Sequence, residues 1–186
     1  KLMELGLHNK TAIVTGGAST IGKAIAEGFA TENANVVVAD VDKKQSTRVV
    51  KALNTMGDGD AVFIETDVSN AEQVEKMASE TLARFGQIDI LINNAGWVAN
   101  DLFLNKPVSD FEKEIAINLW GPINCIRAVA PAMIERSYGK IITIGSDAGR
   151  VGEYQEAVYS ACKGGVNLLS KALAREFGKN GLNVNV

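Results

Sequence analysis

Six short runs of apolar and β-branched residues recur along this 186-residue chain, each separated from the next by a stretch with helical periodicity. The runs fall at Thr11–Thr15, Asn35–Asp40, Ala61–Thr66, Ile88–Asn93, Lys140–Gly145 and Leu182–Val186. Helical patterns fill Ile21–Thr31, Lys43–Met56, Ala71–Phe85, Ser109–Ser137 and Ala157–Lys179. Strands covered on both faces read as continuous apolar runs, whereas half-buried strands alternate with polar residues; these six are of the first kind. A helix joining two parallel strands makes a right-handed crossover, and repeated units of that kind build a parallel sheet with helices on both faces. The expected architecture is therefore α/β, a doubly wound parallel sheet in a three-layer αβα arrangement. One domain over residues 1–186 accommodates it, with no repeat, linker or low-complexity segment.

The stretch Ser109–Ser137 is long for one helix and carries Gly121-Pro122 near its middle. A proline there removes a backbone donor, which predicts a bend or two successive helices. Phe111, Ile115, Leu119, Ile123 and Ile126 share one face at helical spacing. That stripe suits either core packing or a dimer interface.

Several function classes are excluded early. A net charge of −3 offers no electrostatic footprint for nucleic acid or an anionic membrane. The longest apolar runs are strand-length, far short of a membrane span. No basic segment followed by an apolar stretch and cleavage site opens the chain, so the expected location is cytoplasmic. Cys125 and Cys162 alone make neither a disulfide framework nor a zinc site, and no metal is expected. The one histidine, His8, precedes the first strand, so any acid–base chemistry must rest on another residue type.

The first strand runs into Thr15-Gly16-Gly17-Ala18-Ser19-Thr20-Ile21-Gly22, and a helix follows. Small residues at a strand-to-helix turn let backbone approach a pyrophosphate, and the free N–H groups of the helix start bind its charge. The next strand ends at Asp40, whose carboxylate can accept from both adenosine ribose hydroxyls and repels a 2′-phosphate. Val41 follows with no cation to offset that repulsion, so NAD is expected over NADP; the bland alternative is that Asp40 caps the next helix. Asp67, with Val68 beside it, follows the third strand and is placed either to accept from an adenine amino group or to cap a helix. Asn93-Asn94-Ala95-Gly96 ends the fourth run and brings small residues and amides to the carboxyl edge, where open α/β sheets bind ligands.

Ser146 closes the fifth strand, and Tyr159 and Lys163 lie four residues apart on the next helix, sharing one face. A tyrosine with pKa about 10 is a poor base near neutrality. A nearby ammonium favours the phenolate, so Lys163 is expected to draw Tyr159 down. Ser146 can exchange hydrogen bonds with a substrate oxygen while Tyr159 exchanges the proton. Taken alone, Tyr-x-x-x-Lys is a frequent surface accident; here it follows a Rossmann-like half.

Together these motifs resemble the short-chain dehydrogenase/reductase family. The resemblance rests on the glycine turn Thr15–Gly22, Asp67, Asn93–Gly96, Asn118 on the long helix, Ser146, and Tyr159-Ser160-Ala161-Cys162-Lys163. It implies an oxidoreductase moving hydride between NAD and a secondary alcohol or ketone. Tyr159 would be the acid or base, Ser146 would orient the substrate oxygen, and Lys163 would tune Tyr159 and bind the nicotinamide ribose. Asn118 would hold a water linking Lys163 to solvent. Gly16, Ser19, Thr20, Ile21, Gly22, Asp40, Asp67, Val68, Asn94, Ala95 and Gly96 would bind cofactor, along with Tyr159 and Lys163. The family resemblance also implies a homo-oligomer, dimer or tetramer, acting on a small-molecule substrate.

Two departures stand out. Thr20 occupies the second glycine of the family turn, where its β-carbon crowds the pyrophosphate or its hydroxyl caps the helix. The sequence stops at Asn183-Val184-Asn185-Val186, inside the sixth strand. In the family a Pro-Gly segment, a substrate-binding loop and helix and a seventh strand follow, so this chain is expected to be part of a longer enzyme. Trp97, Val98, Leu102, Phe103 and Leu104 offer an apolar wall suited to a cyclic or 3-oxoacyl substrate, or else core or interface packing. The competing reading is a non-catalytic structural or regulatory subunit that keeps the fold. A nucleotide-binding methyltransferase shares the fold type but has no use for Tyr159 and Lys163 at this spacing.

Overall fold

In a computed structural model that describes residues 5–186, six strands form one sheet. They are β1 (Thr11–Thr15), β2 (Asn35–Asp40), β3 (Ala61–Glu65), β4 (Ile90–Asn93), β5 (Gly139–Thr143) and β6 (Leu182–Asn185). All pairings are parallel and the spatial order is β3-β2-β1-β4-β5-β6. Helices α1 (Thr20–Thr31), α2 (Lys43–Leu53), α3 (Ala71–Phe85), α4 (Val108–Ile115), α5 (Gly121–Glu135), α6 (Ala148–Val151) and α7 (Ala157–Phe177) complete the chain. This is the doubly wound, Rossmann-like three-layer arrangement that the alternating pattern predicts.

Sheet growth reverses between β1 and β4. β1 lies centrally, pairing Thr11 with Asn35 on β2 and Ala12 with Ile90 on β4. Its five residues are buried, as a strand covered by helices on both faces requires. Side chains alternate between faces, so Ala12 and Val14 pack with Ala26, Ala30, Val49 and Leu53 of α1 and α2. Ile13 joins Val37, Leu91 and Ile141 on the other face, against Val74 and Met77 of α3 and Val129 and Met133 of α5. Right-handed crossovers place α1 and α2 on one face and the later helices on the other, opening a crevice at the carboxyl ends of β1 and β4.

Several details differ from the sequence reading. β4 begins at Ile90 rather than Ile88, because Asp89 is fully buried and its carboxylate accepts from Thr11 N (2.9 Å) and pairs with Arg136 (3.0 Å). β3 and β5 stop at Glu65 and Thr143, and a short helix, α6, follows β5. The irregularity in the long helical stretch sits upstream of Pro122, as a π-helical turn over Ala116–Trp120 joining α4 to α5. Pro122 lies in the first turn of α5, directly after Gly121, whose N–H reaches back to Ala116 O in the π-helical pattern. The inward face is Glu114, Asn118, Cys125, Val129 and Met133 rather than the five-residue stripe. Of that stripe only Ile126 is buried, and Ile115 is 38% exposed. Ile123 and Ile126 instead line an apolar groove with Leu169, Leu173 and Phe177 of α7. Among the described residues no helix is long and apolar enough to cross a membrane.

Candidate active site

The crevice is built from the turn between β1 and α1. Gly16 adopts φ +62°, in the left-handed region that glycine enters without steric cost. A β-carbon on Gly22 would fall 2.2 Å from the Gly16 carbonyl oxygen and 2.4 Å from Asn94 Nδ2, so helix α1 can close on the turn only with glycine there. Asn94 fastens the arrangement, since its Nδ2 donates to the carbonyls of Thr15 (3.0 Å) and Gly16 (3.1 Å). The Thr15 hydroxyl accepts from the backbone N–H of Asn94 (3.0 Å) and Ala95 (3.1 Å). Thus β4 and the glycine turn are one rigid unit.

Thr20 opens α1 at φ +46°, a left-handed conformation that is an outlier for a β-branched residue. No side chain caps α1, so neither Ser19 nor Thr20 satisfies the first-turn N–H groups. The expectation that the Thr20 hydroxyl caps this helix is therefore not met. Ser19, Thr20 and Ile21 are exposed at the crevice, and the first turn carries no acidic side chain that would repel an anion.

Asp40 does not cap α2. The cap is Asp42, which accepts from Gln45 N (2.9 Å). Asp40 instead receives Ala18 N (3.0 Å) and Asp42 N (3.0 Å), and so carries a carboxylate from the end of β2 to the glycine turn. Asp67 does not cap α3 either, because Asn70 does; Asp67 Oδ1 accepts from the backbone and hydroxyl of Ser69. Val68 is held by α5, where Asn124 Nδ2 donates to its carbonyl (3.0 Å) and a β-carbon at Gly121 would meet Val68 Cγ2 at 2.8 Å. Asp40, Asp67 and Val68 line a cleft of about 300 Å³.

An adjoining cleft of about 570 Å³ shares Gly16, Ser19, Ala95, Gly96 and Trp97 with the first and brings Ser146, Tyr159 and Lys163 to its far end. Thr20, Ile21 and Asn94 line it as well. Gly22 and Asn118 line neither cleft, Gly22 being buried beneath the turn. Asn118 is nearly fully buried, and its amide is committed: Oδ1 accepts from Trp97 N (3.1 Å), and Nδ2 donates to Trp97 O (2.6 Å) and Glu114 O (2.9 Å). Of the apolar wall, Trp97 and Val98 face the cleft. Phe103 stacks on Phe111 with ring centroids 5.3 Å apart, and Leu104 is 92% exposed.

The electrostatics at the far end correct one expectation. Lys163 Nζ donates to the Ile144 carbonyl (2.7 Å) and lies 5.6 Å from the centre of the Tyr159 ring. Burial pushes the Tyr159 phenol above its usual value; the Ser146 hydroxyl draws it back, and the Glu156 carboxylate adds to the rise. Lys163 is not among the causes, its ammonium being turned to the Ile144 carbonyl, so desolvation sets the direction at this half-buried phenol. Burial likewise holds the Lys163 ammonium below its usual value. Cys125 is fully buried and its thiol is pushed up to about 12, leaving it a packing residue.

Two buried charged features escaped the sequence reading: the Lys106–Glu114 ion pair behind the wall and Asp89. Asp89 had a legible signal, an acid inside an apolar strand run; Glu114 had a weaker one, standing one helical turn before Asn118.

The model of the short chain dehydrogenase family matches residues 10–186, and the chain belongs to that family. It is 39% identical over 180 residues to the uncharacterized oxidoreductase YxbG of Bacillus subtilis, covering 96% of this chain and 65% of that protein. It is 36% identical over 179 residues to a 3-oxoacyl-[acyl-carrier-protein] reductase of Synechocystis sp., covering 96% of this chain and 72% of the relative. An uncharacterized oxidoreductase of Thermotoga maritima is 37% identical over 168 residues, covering 90% and 65%. The chain therefore spans about two thirds of the length of these relatives.

Proposed function

We propose that this chain is the cofactor-binding and catalytic part of an NAD-dependent oxidoreductase that interconverts a ketone and a secondary alcohol, with 3-oxoacyl thioesters as the leading substrate class. The observation that carries the reading is the convergence of Ser146, Tyr159 and Lys163 at one end of a cleft whose other wall is the glycine turn. The residues fit a dinucleotide. The uncapped, acid-free start of α1 suits a pyrophosphate. Asp40 at the adenosine end suits ribose hydroxyls and opposes a 2′-phosphate.

A bound nicotinamide would supply the hydride donor or acceptor. Tyr159, with its raised phenol, is protonated at neutral pH and is suited to transfer its Oη proton to a ketone oxygen during reduction. Ser146, beside it, orients that oxygen, and its hydroxyl favours the phenolate left behind, while Lys163 would hold the nicotinamide ribose. Oxidation of the alcohol needs the phenolate at the start, so it accelerates as pH rises toward the raised phenol value while reduction does not. Trp97 and Val98 support an apolar acyl or cyclic substituent, in keeping with the reductase name of the Synechocystis relative. The homo-oligomer implied by the family resemblance would form through the apolar groove between α5 and α7.

Titration with NADH and NADPH, read by nicotinamide fluorescence, tests the cofactor assignment: NADH binds preferentially, and Asp40→Ala erases or reverses the preference. Tyr159→Phe lowers turnover of a 3-oxoacyl thioester by about 100-fold or more while leaving NADH affinity intact. Native turnover in Tyr159→Phe refutes the mechanism. Failure of the unmodified chain to bind either nucleotide favours the competing reading, a non-catalytic subunit, which draws its support from the strained Thr20.

A further inference from the structure

Behind the substrate-facing wall lies an ion pair that the proposed chemistry does not use. Glu114 is 0% exposed and Lys106 is 5% exposed, and Lys106 Nζ stands 2.5 Å from Glu114 Oε1. The same oxygen accepts from Ala99 N at 3.2 Å, while Glu114 Oε2 is buried without a partner. Burying two charges is costly, and an apolar pair of equal volume would often serve stability as well or better. What the pair does hold is the segment from Trp97 to Lys106, which has no regular secondary structure at its start and needs acceptors for its backbone. That segment meets α4 and the π-helical turn at Trp97 through Asn118, at Ala99 and Lys106 through Glu114, and at Phe103 through Phe111. Glu114 also reaches the catalytic helix, since its carbonyl accepts from Cys162 Sγ (3.8 Å), the neighbour of Lys163.

We propose that Glu114, through its buried pair with Lys106, is a positioning residue that sets where the Trp97–Lys106 segment stands against the cleft and so which substrates fit. The proposal rests on the oxidoreductase reading for its consequence, though not for the geometry. Glu114 touches no reacting atom. It acts through Ala99 and Lys106 on the placement of Trp97 and Val98, which line the cleft beside Ser146 and Tyr159.

The test uses the full protein with two variants. Glu114→Gln keeps the shape and the acceptor for Ala99 N but leaves the Lys106 ammonium buried without a counter-charge, and is strongly destabilising. Lys106→Met combined with Glu114→Gln removes both charges at similar volume and restores native thermal stability and NADH affinity. In that folded double variant, chymotrypsin cleavage at Leu102–Leu104 rises about tenfold, and KM for a 3-oxoacyl thioester rises about tenfold with kcat largely unchanged. A native cleavage rate or a native KM in the double variant overturns the proposal. The cleavage arm needs neither cofactor nor substrate. It therefore decides the placement of the segment even if the unmodified chain turns over no ketone, which is the failure of the oxidoreductase reading instead.

Discussion

Thr20→Gly should stabilise this chain, although it removes a side chain from the start of a helix. Thr20 stands at φ +46° with no cap hydrogen bond to compensate. For an L-residue the left-handed conformation costs about 1–2 kcal/mol, because the β-carbon approaches the following carbonyl. Glycine does not bear that cost but loses more backbone entropy on folding, about 0.5–1 kcal/mol. The difference favours glycine by about 0.5–1 kcal/mol, or a rise in Tm of about 1–4 °C for a domain of this size. Urea unfolding measures it as a higher midpoint at unchanged slope. Thr20→Ala is the necessary control: it retains the β-carbon and therefore the strain, and should stay within about 0.5 kcal/mol of the native chain. A lower midpoint for glycine, or an alanine variant as stable as the glycine one, refutes the strain argument. NADH should bind the glycine variant at least as tightly, since the turn then offers its backbone to the phosphates with no β-carbon in front.

Two further outcomes follow from burial and close approach. Burial pushes the Cys125 thiol from 9.0 up to about 12, so the folded state holds a proton that the unfolded chain releases. That contribution is complete below pH 9 and is lost as pH rises toward 12; at pH 10 about 1.4 kcal/mol has gone. Urea unfolding at pH 7 and pH 10 should therefore show a steeper alkaline loss in the native chain than in Cys125→Ala, and equal slopes would count against the burial argument. Gly22→Ala places a β-carbon 2.2 Å from the Gly16 carbonyl oxygen and should destabilise by about 1–3 kcal/mol despite alanine's better helix propensity. Thermal unfolding checks it, and a stabilised variant would mean that α1 does not close on the turn this tightly.

The order of the six strands along the chain, the single parallel sheet and the edge that carries the crevice were legible in the amino-acid pattern, whereas the short helix α6 was not. Each depends on a local quantity: the run of β-branched residues at Asn35–Asp40, the 3.6-residue period of Ala71–Phe85, the small residues of Thr15–Gly22. Local signals also placed Tyr159 and Lys163 on one helix face, since four residues are one turn. Which atoms each side chain meets was decided by chain segments far apart in sequence. Asp40 and Asp67 were both open to a capping role until Asp42 and Asn70 took the helix starts. The amide of Asn118 is consumed by Trp97 and Glu114, and the long-range Asp89–Arg136 pair shortens β4. The direction of the Tyr159 shift belongs to the same class. Spacing puts a lysine within reach, but burial and the competing acceptor at Ile144 set whether its charge or the loss of water dominates, and both exist only once the sheet and its helices have packed.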